Sequence, residues 1–176
     1  MKKVSKTKCY KHIDGVDVVA WFSDDKRYRY RLDIAIKSGP VVGRTACVMM
    51  MNPSYANEEI ADKSVQFMEK IVFQRSLDEF VGVQRLIVVN QFAYIQTNKF
   101  QGSQAEIGTE NDRAIKDALR DSEIIIIGWG SANPFKERQE FVLDLIKNMK
   151  GKRVFKTSSH PSRAKYDGFI KPYLHL

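Results

Sequence analysis

Four apolar runs along the chain each end abruptly in a short polar landmark, and the four landmarks differ. Val48-Met49-Met50-Met51 runs into Asn52-Pro53-Ser54, and Leu86-Ile87-Val88-Val89 runs into Asn90-Gln91-Phe92. Ile124-Ile125-Ile126-Ile127 runs into Gly128-Trp129-Gly130-Ser131. A weaker run, Arg153-Val154-Phe155-Lys156-Thr157, leads through two serines into His160-Pro161-Ser162-Arg163. Continuous apolar runs suit strands covered on both faces, as in a parallel sheet. The weaker fourth run belongs nearer an edge.

Helical stripes separate the runs. Residues 62–74 place Val65, Met68, Ile71 and Val72 on one face. A second helix is expected from Thr109 as N-cap, with Asp112 three residues on as its reciprocal partner. It runs to about Arg120 and buries Ile115, Ala118 and Leu119. After Asn133-Pro134 a third helix carries Val142, Leu145, Ile146 and Met149, and Gly151 stops it. Residues 96–107 are polar with little strand or helix signal, and such a stretch inside a compact domain is often functional.

Upstream, residues 16–22 and 27–36 read as strands around a Ser23-Asp24-Asp25-Lys26 turn. Tyr28, Tyr30 and Leu32 alternate there with Arg27, Arg29, Arg31 and Asp33, the period of a half-exposed strand. The expected fold is therefore a three-layer α/β/α sandwich with a four-stranded, mainly parallel sheet, plus an N-terminal β-hairpin. One domain spans 1–176, with a basic leader and hairpin over 1–44 and the α/β core over 45–176. Parallel strands would bring all four landmarks to one rim, where open α/β sheets bind ligands.

The formal charge of +8 points to polyanionic partners, DNA or a nucleotide. Basic and aromatic residues interleave over Lys26–Arg31 and again from His160 to Lys165. The first of these reads rather more readily as a strand with a polar outer face than as a nucleic-acid contact. No apolar stretch approaches the roughly 20 residues that cross a membrane. The leader lacks the apolar segment of a signal peptide, so a cytoplasmic protein is expected. Of the two cysteines, Cys47 lies inside an apolar run and Cys9 in the leader. A disulfide between them is not expected, nor is a zinc site, because no Cys/His pair stands at ligand spacing.

Each landmark admits a structural and a functional reading. Asn52-Pro53-Ser54 is turn chemistry, or it positions a water or a polar ligand edge. Asn90 holds a neighbouring loop, or its amide reads the matching edge of a nucleobase. Trp129 between two glycines is a core anchor, or it stacks on a ligand. His160 before Pro161 is a structural histidine, or an imidazole aimed at the rim. His12 and His175 receive no role.

Taken in order, the landmarks resemble those of the uracil-DNA glycosylase superfamily. The stretch from Ile124 through Asn133 is similar to its strand-plus-WGSxA segment, and Val154–Phe169 to its HPSPLSxxxGF segment. Val88-Val89-Asn90 resembles the strand ending in the Asn that reads uracil, and Met51-Asn52-Pro53-Ser54 the motif that reads DPY or NPG. The chain also closely resembles an uncharacterised bacterial and phage family, domain-of-unknown-function family 1643. The features shared are Asn52-Pro53-Ser54 followed by an Asp, Val88-Val89-Asn90 with Phe92-Ala93-Tyr94, Gly108 with Glu110-Asn111-Asp112 and Ala114, and Trp129-Gly130.

The glycosylase resemblance implies residue roles. Asn52 would position a water, with Asp62, Glu110 or Asp112 as the source of the missing carboxylate. Asn90 would bind the edge of an extruded base, and His160 would donate to its carbonyl oxygen as negative charge develops. Phe92, Trp129 and Ser54 complete the implied base site, with Phe67 a further candidate for the stacking ring. Ser131, Ser162, Arg163 and Lys165 would hold the nucleic-acid backbone, with Tyr166 in the wedge position. No cofactor and no metal is implied. Two alternatives stay open: a non-catalytic module that binds nucleic acid or a nucleotide, and a metal-dependent enzyme using Asp62, Glu110 and Asp112.

Overall fold

In a computed structural model, residues 10–40 and 42–175 are described, without the side chains of Leu174 and His175. Cys9 and most of the basic leader lie outside these residues. Strands β1 (Val16–Phe22), β2 (Arg29–Ile36) and β3 (Arg44–Met50) precede helix α1 (Lys63–Phe73). Then come β4 (Val83–Asn90), the short helix α2 (Gln104–Ile107), α3 (Asn111–Arg120) and β5 (Ile124–Ile127). The chain closes with α4 (Lys136–Lys147), β6 (Arg153–Thr157) and β7 (Ile170–His175).

All seven strands form one sheet in the order β1-β2-β4-β3-β5-β6-β7. This corrects the four-stranded, mainly parallel, glycosylase-like sheet expected from sequence. The sheet is mixed: β4, β3, β5 and β6 pair in parallel, while β1–β2, β2–β4 and β6–β7 are antiparallel. The N-terminal hairpin is no appendage, since Leu32 of β2 registers against Val88 of β4. The fourth apolar run, β6, does lie nearer an edge than the other three, with only β7 paired outside it.

The apolar runs form the middle of the sheet because each strand is covered on both faces. Ala46, Val48 and Met50 point toward α1 and its Val65, Met68 and Ile71. Cys47 and Met49 point the other way, toward Ile115 and Leu119 of α3 and Val142 and Ile146 of α4. Burial pushes the Cys47 thiol up to about 12, which keeps it protonated and inert. From β3 the chain passes through α1 to β4 on one side, then through α3 to β5 on the other. The order therefore reverses at β3, and the crevice beyond β3 and β5 is a topological switch point.

Helix starts follow partly different chemistry from that expected. Asp62 caps α1, its Oδ1 accepting the Val65 N–H at 2.8 Å. Thr109 does not cap α3, which begins at Asn111; its hydroxyl lies 3.4 Å from that of Tyr30. The capping box sits earlier, between Ser103 and Glu106, and makes α2 out of the stretch that shows no helical pattern.

The β1–β2 pairing contains one irregularity that matters for the site. Trp21 pairs with Arg31 but Phe22 pairs with Arg29, so Tyr30 is an extra residue in β2. This β-bulge changes which face each side chain takes. Tyr30 packs with Ala93 and Ala114 on the α3 side, and Arg31 reaches Asp121 on that same side. Arg29 is thrown to the α1 side, where it meets Ala56.

Candidate functional site

The four parallel strands bring their landmarks to one rim, and a cleft opens there with two lobes. A polar lobe of about 290 Å³ is lined by Arg29, Asn52, Ser54, Asp62, Lys63 and His160, among others. An aromatic lobe of about 580 Å³ is lined by Phe100, Trp129, Ser131, Asn133, Phe135 and Arg163, among others. Met51, Thr97, His160 and Ser162 belong to both walls. A hollow of about 620 Å³ beside the hairpin turn contains none of the landmarks, and Asp24, Asp25 and Asp112 line it. Its acidic wall suits no polyanion.

His160 has a defined tautomer. The backbone N–H of Ser162 donates to its Nδ1 at 3.2 Å, and the Ser162 hydroxyl lies 2.9 Å from the same atom. A backbone N–H can only donate, so Nδ1 is the acceptor and the neutral ring carries its proton on Nε2. Burial pushes the His160 pKa below its ordinary 6.5; Asp62 opposes that shift and Arg163 adds to it. A neutral imidazole whose Nε2–H has no acceptor among the described residues therefore stands where the lobes meet. Gly130 makes room for it: with φ of +84°, its missing Cβ would sit 3.1 Å from the His160 Cβ.

Asn52 lines the polar lobe with its amide fixed. Its Nδ2 donates to the Gln96 carbonyl at 2.7 Å, leaving Oδ1 without a hydrogen bond among the described residues. Asp62, 7% exposed, shares that lobe and couples electrostatically to both His160 and Arg29. Ser54 is half-buried on the same wall. Trp129 lines the aromatic lobe while its ring also packs on the α3–α4 core. Ser131, Ser162 and Arg163 line that lobe too.

Other expected residues are placed elsewhere. Asn90 is 1% exposed and lines neither lobe; its Oδ1 accepts from Arg29 at 3.3 Å. Gln91 beside it is a structural knot, its carbonyl accepting from Asn111 at 3.1 Å and from Arg138 Nη2 at 2.7 Å. Phe92 is buried, edge-on to Phe100 and Phe135, so it supports the aromatic lobe from behind. Phe67 stacks on Tyr166 at 4.7 Å between ring centres, and the Arg75 guanidinium covers that tyrosine at 3.7 Å. Neither is free to act as base platform or wedge. Lys165 is exposed and outside both lobes.

The acidic trio of the metal-dependent alternative does not assemble. Asp62 is in the polar lobe, Asp112 pairs with Arg138 at 2.7 Å, and Glu110 pairs with Arg113 at 3.5 Å. No group of His, Cys, Asp and Glu suited to a metal ion occurs among the described residues.

Arg29, Met51, Thr97, Phe100 and Phe135 were absent from the sequence-based site. Phe135 directly follows the Asn133-Pro134 breaker, a signal that was readable. Arg29 had none, because the bulge that re-aims it leaves no trace in the alternation.

A family model described as "Protein of unknown function (DUF1643)" matches residues 29–163, and the chain belongs to that family. The matched span takes in every cleft residue named above. No curated protein and no solved structure matches the chain. No helix among the described residues is long and apolar enough to cross a membrane.

Proposed function

We propose that the chain binds a nucleobase-bearing ligand, a base displaced from DNA or carried by a nucleotide, and hydrolyses its N-glycosidic bond. The observation that carries this reading is His160, a neutral imidazole shared by both lobes with Nε2–H free to donate. The aromatic lobe, with Trp129, Phe100 and Phe135, suits a flat base. The polar lobe suits the sugar side, with Asp62 and the Asn52 Oδ1 available to hold a water.

In the reaction the C1′–N bond breaks and its electron pair leaves with the base. The water oxygen bonds to C1′ and its proton passes to Asp62. His160 Nε2–H stabilises the anionic base, a contribution typically worth about 3 kcal/mol. Asp62 thus does what Asn52, which cannot take a proton, does not. The test is incubation with oligonucleotides carrying uracil, hypoxanthine or modified pyrimidines, followed by alkali to reveal abasic sites. Strand breaks are expected with at least one of them, falling about 100-fold in His160→Gln. The absence of breaks on every substrate, with ligand binding unchanged in His160→Gln, overturns the proposal.

A binding module without catalysis is the second reading. It is favoured by one observation: Oδ1 of Asp62 is already engaged as the cap of α1. Tight, His160-dependent binding without abasic sites would establish it.

A further inference from the structure

The proposed reaction leaves unused the most costly side chain in the cleft. Arg29 is 1% exposed, yet among the described residues its guanidinium pairs with no carboxylate. Its hydrogen bonds go to neutral oxygens, the Ala56 carbonyl at 2.9 Å and the Asn90 Oδ1 at 3.3 Å. The Arg29 Nε has no acceptor, and neither does the Asn90 Nδ2 beside it. Two buried donors on two mutually bonded side chains are thus unmet. A buried cation with no carboxylate in direct contact, and only Asp62 acting on it from farther off, costs several kcal/mol that well-packed apolar residues would avoid. Here a β-bulge places this cation in the wall of the polar lobe.

The charges of that lobe sharpen the point. Arg29, Lys63 and Asp62 are its charged residues, and burial holds His160 neutral, so the wall carries one net positive charge. The Ser54 and Ser64 hydroxyls lie on the same wall. We infer that the polar lobe is a phosphate seat, in which Arg29 binds the oxyanion of the ligand's phosphate with Lys63 at the mouth. Guanidinium is the side chain best matched to phosphate geometry. Asp62 then faces the sugar rather than the phosphate. Such a seat extends the nucleobase reading above and rests on it only for what the phosphate is attached to.

The test uses inorganic phosphate as probe, at constant ionic strength and with chloride as the control anion, on the full chain. Calorimetric titration is expected to show saturable phosphate binding. The dissociation constant should rise at least tenfold in Arg29→Met and less in Arg29→Lys, and stay unchanged in Arg113→Met on α3, outside both lobes. Should Arg29→Met fail to fold, the wild-type Arg29 Nε–H resonance decides, assigned by its absence from Arg29→Lys. It should shift saturably with phosphate and not with chloride. An unmoved resonance, or phosphate binding equal in wild type and a folded Arg29→Met, overturns the proposal. A competing single-stranded oligonucleotide and a competing deoxynucleoside monophosphate then distinguish a phosphodiester from a free nucleotide as the source. Phosphate binding with no base excision leaves the seat standing and removes the hydrolysis, whereas excision without phosphate binding does the reverse.

Discussion

Gly130 and His160 are held in van der Waals contact, with the position of a Gly130 Cβ 3.1 Å from the Cβ of His160 and 3.3 Å from its backbone nitrogen. The turn after β5 and the turn after β6 are thereby fitted to each other. Gly130→Ala is expected to cost about 1–3 kcal/mol, because alanine is strained at that φ and the contact must open. A denaturant midpoint measures the loss. The His160 ring resonances should shift as well, which strain in an isolated turn would not cause.

Asp62→Asn separates two roles of one side chain. Asparagine caps a helix about as well as aspartate, so stability should change by less than about 1 kcal/mol. Base excision should fall about 100-fold, since an amide takes no proton from water. Thermal melting and the alkali assay run on one preparation check both halves; a large drop in melting temperature would point to a purely structural Asp62.

Two histidines impose opposite pH dependences on stability. In the buried pair of His12 and Glu69, the imidazole Nδ1 meets the carboxylate and Nε2 lies 2.8 Å from the Asn57 carbonyl, so both nitrogens face acceptors. Burial opposes charge on His12, but the Glu69 hydrogen bond and the Asn57 carbonyl outweigh it and raise the pKa above 6.5. That stabilisation is complete below about 6.5 and is lost as pH rises through the folded value. For His160, lowered by burial, the stabilisation is present above 6.5 and is lost as pH falls through the folded value. Unfolding free energy against pH should therefore peak near neutrality. In Glu69→Gln the alkaline-side decline should flatten, with about 3–5 kcal/mol lost from breaking a buried pair.

Asn111→Leu should destabilise by about 2 kcal/mol without touching the cleft wall. The Asn111 Nδ2 joins the start of α3 to the Asn90 and Gln91 carbonyls at 3.0 and 3.1 Å. Chemical denaturation reads the loss, and ligand binding per folded molecule should be retained.

The middle of the fold was legible because its signals are periodic and local. Val65, Met68, Ile71 and Val72 mark α1, and the four apolar runs end at one rim as their continuity implies. Of the outer sheet, β1 and β2 were legible as strands, but neither their pairing onto β4 nor β7 was. β7 contains Pro172 and exposed Lys171, and only pairing with β6 makes it a strand. Within the site, sequence order located the strand ends but not the direction of each side chain. His160, Asn52 and Trp129 face the cleft, whereas Asn90 at an equivalent strand end turns inward to Arg29. The capping box at Ser103 and Glu106 was present in the sequence, hidden in a stretch without apolar periodicity.

The extra residue in β2 works as a selector. Removing one residue between Phe22 and Arg31 would leave the length of the hairpin almost unchanged, yet it would exchange the neighbours Arg29 and Tyr30 across the sheet. An aromatic ring would enter the cleft wall and the guanidinium would go to the opposite layer. A single deletion outside all four landmark segments would thereby change what the cleft can hold from an anion to an apolar group.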